Sequence, residues 1–203
     1  MIYPNPQIYP HLKAIFVHVP KSAGTSIERR LRENNSVVVG GHTTAEGFRK
    51  KYPDVFNDYY KFAVVRHPAD RFISAFYYLL NSPINVNLNN KIVHECATLD
   101  NFTRCVETKP DIISRIVHLF PQHHFICDTQ DHILVNDLYR FENLPAEWLR
   151  ICQKIGLPLE PLEILNPSSR GQFDKANKSR LAELVNSLYR KDFDLFGFDS
   201  ESC

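Results

Sequence analysis

The sequence predicts an α/β fold built on a largely parallel sheet. Two short apolar, β-branched runs, AIFVHV at residues 14–19 and KFAVV at residues 61–65, read as buried strands. Each is followed by a stretch whose apolar residues recur at helical spacing, and strands alternating with helices are the pattern of a parallel sheet with crossovers. A length of 203 residues, 43% of them hydrophobic, suits one domain (residues 1–203) with a sizeable core.

Residues 1–12 are expected to be an extended arm, because the stretch from Tyr3 to Pro10 is rich in proline. The first strand stops at Pro20. Residues 25–33 read as a helix, with Ile27 and Leu31 four apart on one face. A second strand is expected at residues 36–39, ending at Gly40-Gly41, and a helix at 43–51 that stops before Pro53. After the strand at 61–65, residues 68–80 form the next helix, with Pro68 at its start, where a missing N–H costs little. Shorter helical segments follow at 91–96 and 101–107. Residues 124–127 and 134–141 read as later strands. Residues 145–155 form an amphipathic helix closed by Gly156, and 176–189 the last helix.

Composition narrows the function. A formal net charge of +1 gives no global field toward nucleic acid or an acidic membrane, so any anion site must be local. The five cysteines, Cys96, Cys105, Cys127, Cys152 and Cys203, are odd in number and widely spaced. They lack a CxxC pair, which argues against structural zinc and for reduced thiols. The opening lacks the basic start and apolar stretch of a signal peptide, and no run approaches the ~20 apolar residues of a membrane span. A cytoplasmic protein is expected, with no nucleic-acid partner; nothing in the sequence speaks to oligomeric state.

In parallel sheets, ligands bind beyond the carboxyl ends of the strands. The two strand-to-helix junctions, after Val19 and after Val65, fall at that edge, and both are basic. At the first, Pro20-Lys21-Ser22-Ala23-Gly24-Thr25-Ser26, small residues let backbone N–H groups turn inward while the helix start adds its positive end. Lys21 supplies a mobile cation, and Thr25 and Ser26 supply hydroxyls, which together suit a phosphate or phosphosulfate. The plainer alternative is an ordinary turn with Thr25 or Ser26 as N-cap and Lys21 solvated. The nucleotide-hydrolase loop G-x-x-x-x-G-K-[ST] is absent.

At the second junction, Val65-Arg66-His67-Pro68, Arg66 can fork onto a phosphate, with Ser74 two helical turns later as a second donor. The alternative is that Arg66 pairs with Asp70.

These residues carry a family resemblance. IFVHVPKSAGTSI resembles the 5′-phosphosulfate-binding segment of sulfotransferases that use 3′-phosphoadenosine-5′-phosphosulfate (PAPS). FAVVRHPADRFISAFYYL resembles their 3′-phosphate-binding segment, and the two stand in order about 40 residues apart. The likeness is to the glycan (carbohydrate) branch and its small bacterial members. GGHTTAE, YRFENL at residues 139–144 and KDFDLFGF extend it over residues 14–198.

The resemblance implies a P-loop-type three-layer α/β sandwich with a mostly parallel central sheet flanked by helices. It implies PAPS as donor, 3′,5′-ADP as product, no metal, and a hydroxyl-bearing acceptor, a glycan or small molecule. By position, Lys21, Ser22, Ala23, Gly24, Thr25 and Ser26 would hold the 5′-phosphosulfate, and Arg66 and Ser74 the 3′-phosphate. Ser169 and Arg170, within Ser168-Ser169-Arg170-Gly171, are the candidates for a completing loop.

Transfer needs a base for the acceptor hydroxyl, and a histidine suits that role near neutral pH. His42, in Gly41-His42-Thr43-Thr44, resembles the presumed base of glycan sulfotransferases in position, and Lys21 would neutralise charge on the leaving phosphate. A capping or packing role for His42 is the alternative. His67 is a further candidate for contacting nucleotide, while His18 is expected to pack. His123 and His124 have no third metal ligand in view. Glu142 either orients a site residue or pairs with Arg140.

Two other readings stay open. A P-loop-type nucleotide or small-molecule kinase would need a Gly-Lys-Ser/Thr loop and a magnesium-holding aspartate at a strand end. A catalytically inactive PAPS-binding module would not need both Lys21 and His42. The acceptor pocket falls to the loops at 81–91 and 108–122, which carry no decodable motif.

Overall fold

The computed structural model describes residues 7–32, 41–82, 88–163 and 175–200. Its strands are β1 (Ile8–Tyr9), β2 (Ala14–Val17), β3 (Tyr60–Val65) and β4 (Asp137–Arg140). The helices described before the midpoint of the chain are α1 (Gly24–Leu31), α2 (Ala45–Lys51), α3 (Pro53–Asp58), α4 (Pro68–Leu80) and α5 (Leu88–Cys96). After them come α6 (Leu99–Thr108), α7 (His123–Ile126), α8 (Leu144–Ile155), α9 (Lys175–Leu188) and α10 (Arg190–Phe196). The chain divides into two compact units, Met1–Arg66 with Gln122–Asn166, and His67–Pro121 with Pro167–Cys203.

The first unit holds the sheet, in the order β1-β2-β3-β4. β2, β3 and β4 run parallel, with Phe16 opposite Phe62 and Val64 opposite Tyr139. Among the described strands, β1 alone is antiparallel. The fold is thus the mixed α/β architecture expected, a mostly parallel sheet flanked by helices. One sheet face places Phe16, Phe62, Val64 and Tyr139 against Ile27 and Leu31 of α1 and Trp148, Ile151 and Ile155 of α8. Residues of the other face, Ile15, Val17, Ala63 and Val65, are equally shut from solvent. Burial on both faces is why these strands are written as continuous apolar runs rather than as alternation.

Helix α8 buries Leu144, Trp148, Ile151, Cys152 and Ile155, a single stripe at helical spacing. It ends as expected at Gly156, whose φ of 73° is the left-handed cap that glycine adopts without strain.

The described part of the expected surface arm is folded in. Gln7 is fully buried, its carbonyl accepts from Phe16 N at 3.0 Å, and Ile8 and Tyr9 pair with β2. Between the prolines, Ile8 and Tyr9 are strand-forming and keep their N–H groups, so they complete an edge. The strand expected at 124–127 is instead helix α7, and only Cys127 makes an isolated bridge, to Ile133. A four-residue apolar run carries no period that separates the two, and Phe125 and Ile126 are buried either way. The strand expected at 134–141 shortens to β4, since residues 141–143 close into a 3-10 turn. The strand expected at 36–39 lies outside the described residues.

In the second unit, α4 has the bounds expected. Arg71 is 1% exposed, and its guanidinium donates to the carbonyls of His118 (3.1 Å) and Phe120 (2.6 Å). It also lies over the ring of Tyr189, whose hydroxyl donates to Leu119 O at 2.8 Å. Arg71 is therefore a brace of this unit. Among the described residues, no helix is long and apolar enough to cross a membrane.

Candidate active site

Because β2 and β3 are parallel neighbours, their carboxyl ends open on one edge, and the two basic junctions start there together. Lys21 (φ 67°) and Ala23 (φ 63°) are both left-handed. Side chains with a Cβ pay about 1–2 kcal/mol each for that conformation, which persists only where the surroundings demand it. Left-handed residues in such a turn gather N–H groups into a concavity for anions. Ala23 stands at the N-cap of α1 with no side-chain cap bond, so neither Thr25 nor Ser26 caps the helix.

Within the loop, Ser22 is 1% exposed and its Oγ has no hydrogen-bond partner among the described residues. A buried hydroxyl left this way is a donor awaiting an acceptor. The Lys21 ammonium is lowered to about 8, first by burial and then by the nearby Arg66 charge. Arg66 donates from Nη1 to Lys21 O at 3.3 Å and stacks its guanidinium on the ring of Phe141, 4.2 Å from the centroid. Its backbone is held at both ends by Gln122, whose side-chain oxygen accepts from Arg66 N and whose amide donates to Arg66 O, each at 2.9 Å. The junctions after β2 and β3 thus bring two cations together, and the Arg66 charge disfavours that of Lys21.

Beneath the loop lies His18. A Cβ built on Gly24 would fall 1.8 Å from His18 Nε2, so the imidazole fills the space a side chain there would need. His18 Nδ1 donates to Glu28 Oε1 at 2.7 Å, and Glu28 is wholly buried in α1. His42 donates from Nδ1 to His18 O at 3.3 Å and meets the His18 ring edge-on, centroids 4.7 Å apart. Burial above all, then the His18 charge, pushes the His42 imidazole down to about 4; the His18 carbonyl and Glu28 oppose this, and the Lys21 charge adds the smallest lowering. It is therefore neutral at physiological pH. Thr44, not His42, caps α2, accepting from Gly47 N at 3.0 Å.

Lys21, Ser22, Ala23, Gly24, His42 and Arg66 thus belong to one edge of the first unit. Ser26 is buried behind the loop, and Thr25 is exposed. Ser74 is buried on α4 in the second unit. Ser169 and Arg170 lie outside the described residues. His67 donates from Nε2 to Asp199 O at 3.0 Å and packs edge-on against Phe193 and Phe198. His123 and His124 open α7, and Glu142 is exposed on the turn after β4. Among the described residues, no group of three or more His, Cys, Asp or Glu could hold a metal ion.

Sequence reasoning missed Gln122, Phe141, Glu28 and Gln7. Phe141 had a signal: it sits inside YRFENL, next to Glu142.

A mostly parallel α/β sheet with a cationic loop at its carboxyl edge is a P-loop-type arrangement. The family model described as "Sulfotransferase family" matches residues 7–199, and the chain belongs to that family. Sulfuryl transfer is the family's chemistry. No curated protein and no solved structure matches the chain.

Proposed function

We propose that this sulfotransferase moves a sulfuryl group from PAPS to a hydroxyl of a carbohydrate acceptor. The observation that carries the reading is the left-handed Lys21–Ala23 loop with the Lys21 and Arg66 cations crowded on it and a buried, unpartnered Ser22 hydroxyl inside it. These residues fit an anion carried on a nucleotide, and the likeness of the two junctions to PAPS-binding segments supports PAPS as the donor. When bound, PAPS supplies the sulfuryl group and a phosphate leaving group.

The protein's own residues then divide the work. The loop N–H groups and Ser22 Oγ donate to the 5′ end, and Arg66 pairs with the 3′-phosphate. Lys21 neutralises charge as it develops on the leaving oxygen, which is worth most in a site shielded from water. His42 accepts the proton of the acceptor hydroxyl at Nε2. Its depressed basicity makes it neutral and ready. Negative charge bound beside it raises that basicity toward neutrality, where a base works best. The carbohydrate acceptor rests on the likeness to the glycan branch, and the loops at 81–91 and 108–122 are where its pocket is sought.

The test is the thermal shift produced by 3′,5′-ADP, 5′-AMP and ATP. A ligand at about 100 times its dissociation constant adds about 2.7 kcal/mol. A shift with 3′,5′-ADP alone is expected. A response to ATP with magnesium and none to 3′,5′-ADP would replace this reading with a kinase.

A further inference from the structure

A carboxylate without exposure is costly unless it is paired, and Glu28 is 0% exposed. Its partners come from three places. His18 Nδ1 is 2.7 Å from Oε1, Gln7 Nε2 is 3.4 Å from the same oxygen, and Arg32 Nη2 is 3.4 Å from Oε2. Two of the three lead directly to His42.

The first path runs through His18. A carboxylate can only accept, so His18 presents Nδ1–H to it, and this bond sets the plane of the ring. The ring is further confined by stacking on Phe16, 18° from parallel, and by Gly24 against Nε2. His18 in turn offers its carbonyl oxygen to His42 Nδ1 and its ring to the His42 ring.

The second path runs through Gln7, which is also fully buried. The same amide nitrogen that meets Glu28 donates to the carbonyl of Gly41, the residue before His42. The backbone of His42 and its side chain are thus tied separately, and both ties return to one carboxylate.

We propose that Glu28 is the positioning residue for His42: through His18 and Gln7 it holds the imidazole as the Nδ1–H tautomer, leaving Nε2 as the proton-accepting nitrogen. A carbonyl oxygen accepts and cannot donate, so the His42–His18 bond requires a proton on Nδ1. In a neutral ring the lone pair is then on Nε2. The catalytic meaning of this tautomer rests on the reading of His42 as base; the tautomer itself does not. The charged and titratable groups acting on His42 are His18, Glu28 and Lys21, and the neighbouring Phe125 ring is neutral.

The tautomer is read directly by long-range 1H–15N NMR of histidine-labelled protein without ligand at neutral pH. Wild type is expected to show His42 protonated at Nδ1 and bare at Nε2. Glu28→Ala should lower the Nδ1–H to Nε2–H ratio at least five-fold. Glu28→Gln keeps an acceptor oxygen for His18 and should stay within two-fold of wild type. A general loss of packing would not be rescued by that exchange. Gln7→Ala, which cuts only the Gly41 tie, should lower the ratio at least two-fold and serves where Glu28→Ala does not fold.

An Nε2–H tautomer in wild type overturns the proposal, as does an unchanged ratio in folded Glu28→Ala or in Gln7→Ala. Affinity for 3′,5′-ADP is measured alongside. If wild type fails to bind it, the PAPS reading falls while the tautomer result stands.

Discussion

The loop after β2 and the loop after β3 leave neighbouring parallel strands at one edge, yet they hold their cations by different means. Lys21 sits on a backbone bent into the left-handed region, half-buried, with its charge disfavoured by its surroundings. Arg66 continues a regular strand, clamped by Gln122 through both backbone groups and supported by Phe141. One junction is strained and disfavours its own charge, and the other is regular and braced by its neighbours. A group that stabilises a transition state gains where its charge is disfavoured beforehand, whereas a group that only anchors gains by being rigid. Under the proposed function, that difference gives Lys21 the charge-stabilising role and Arg66 the anchoring one.

The largest effect should come from separating those roles. Lys21→Ala is expected to lower the transfer rate about 10²–10³-fold, the usual cost of losing a charge-stabilising donor. Arg66→Ala should chiefly weaken 3′,5′-ADP, by about 10–100-fold, as loss of a charge-assisted bond does. Paired measurements of rate and 3′,5′-ADP affinity decide it. Equal losses of both in the two variants would erase the distinction.

The pH dependence sharpens the contrast further. With Lys21 lowered to about 8, 3′,5′-ADP affinity should be flat below that pH and fall above it, by up to about ten-fold per unit. Arg66 keeps its charge throughout and contributes no such limb. Stability without ligand moves the opposite way. The folded Lys21 loses its proton near 8 and the unfolded one near 10.5, so between those values the unfolded chain binds more protons and stability rises with pH. Calorimetric titration and melting curves over pH 7–10.5 should therefore show opposite slopes. Parallel slopes would detach Lys21 from the site.

The smallest effect concerns the backbone alone. Ala23→Gly removes the penalty of a left-handed residue with a Cβ and should raise stability by about 0.5–1 kcal/mol in chemical denaturation. The regular second junction offers no equivalent gain. A destabilised Ala23→Gly would show that the loop is not strained.

Much of this could be read in the residues. Continuous apolar runs marked β2 and β3 because both faces are covered, Pro68 marked the start of α4, and Gly156 the end of α8. The basic junctions followed from strand order. What escaped notice is non-local or lacks a pattern. Glu28 reads as one more acid on an amphipathic helix; its partner His18 lies ten residues away on another element, and only folding brings them to 2.7 Å. Gln7 sits in a proline-rich stretch with no periodicity to flag it. The left-handed turns at Lys21 and Ala23 are invisible because neither residue is glycine. Residues 124–127 read as a strand but fold largely as helix, since burial alone, without period, cannot tell a short helix from a strand.

The contact between His18 and Gly24 sets a rule for how this sequence can vary. The imidazole occupies the volume where a methyl at position 24 would go. Position 24 can therefore gain a side chain only after position 18 has given one up, and the histidine can be shortened only if something else fills the hollow beneath the loop. The two sites form a lock in which neither changes first without cost. A chain drifting away from this arrangement must pass through a less stable or poorly packed intermediate, whichever position moves.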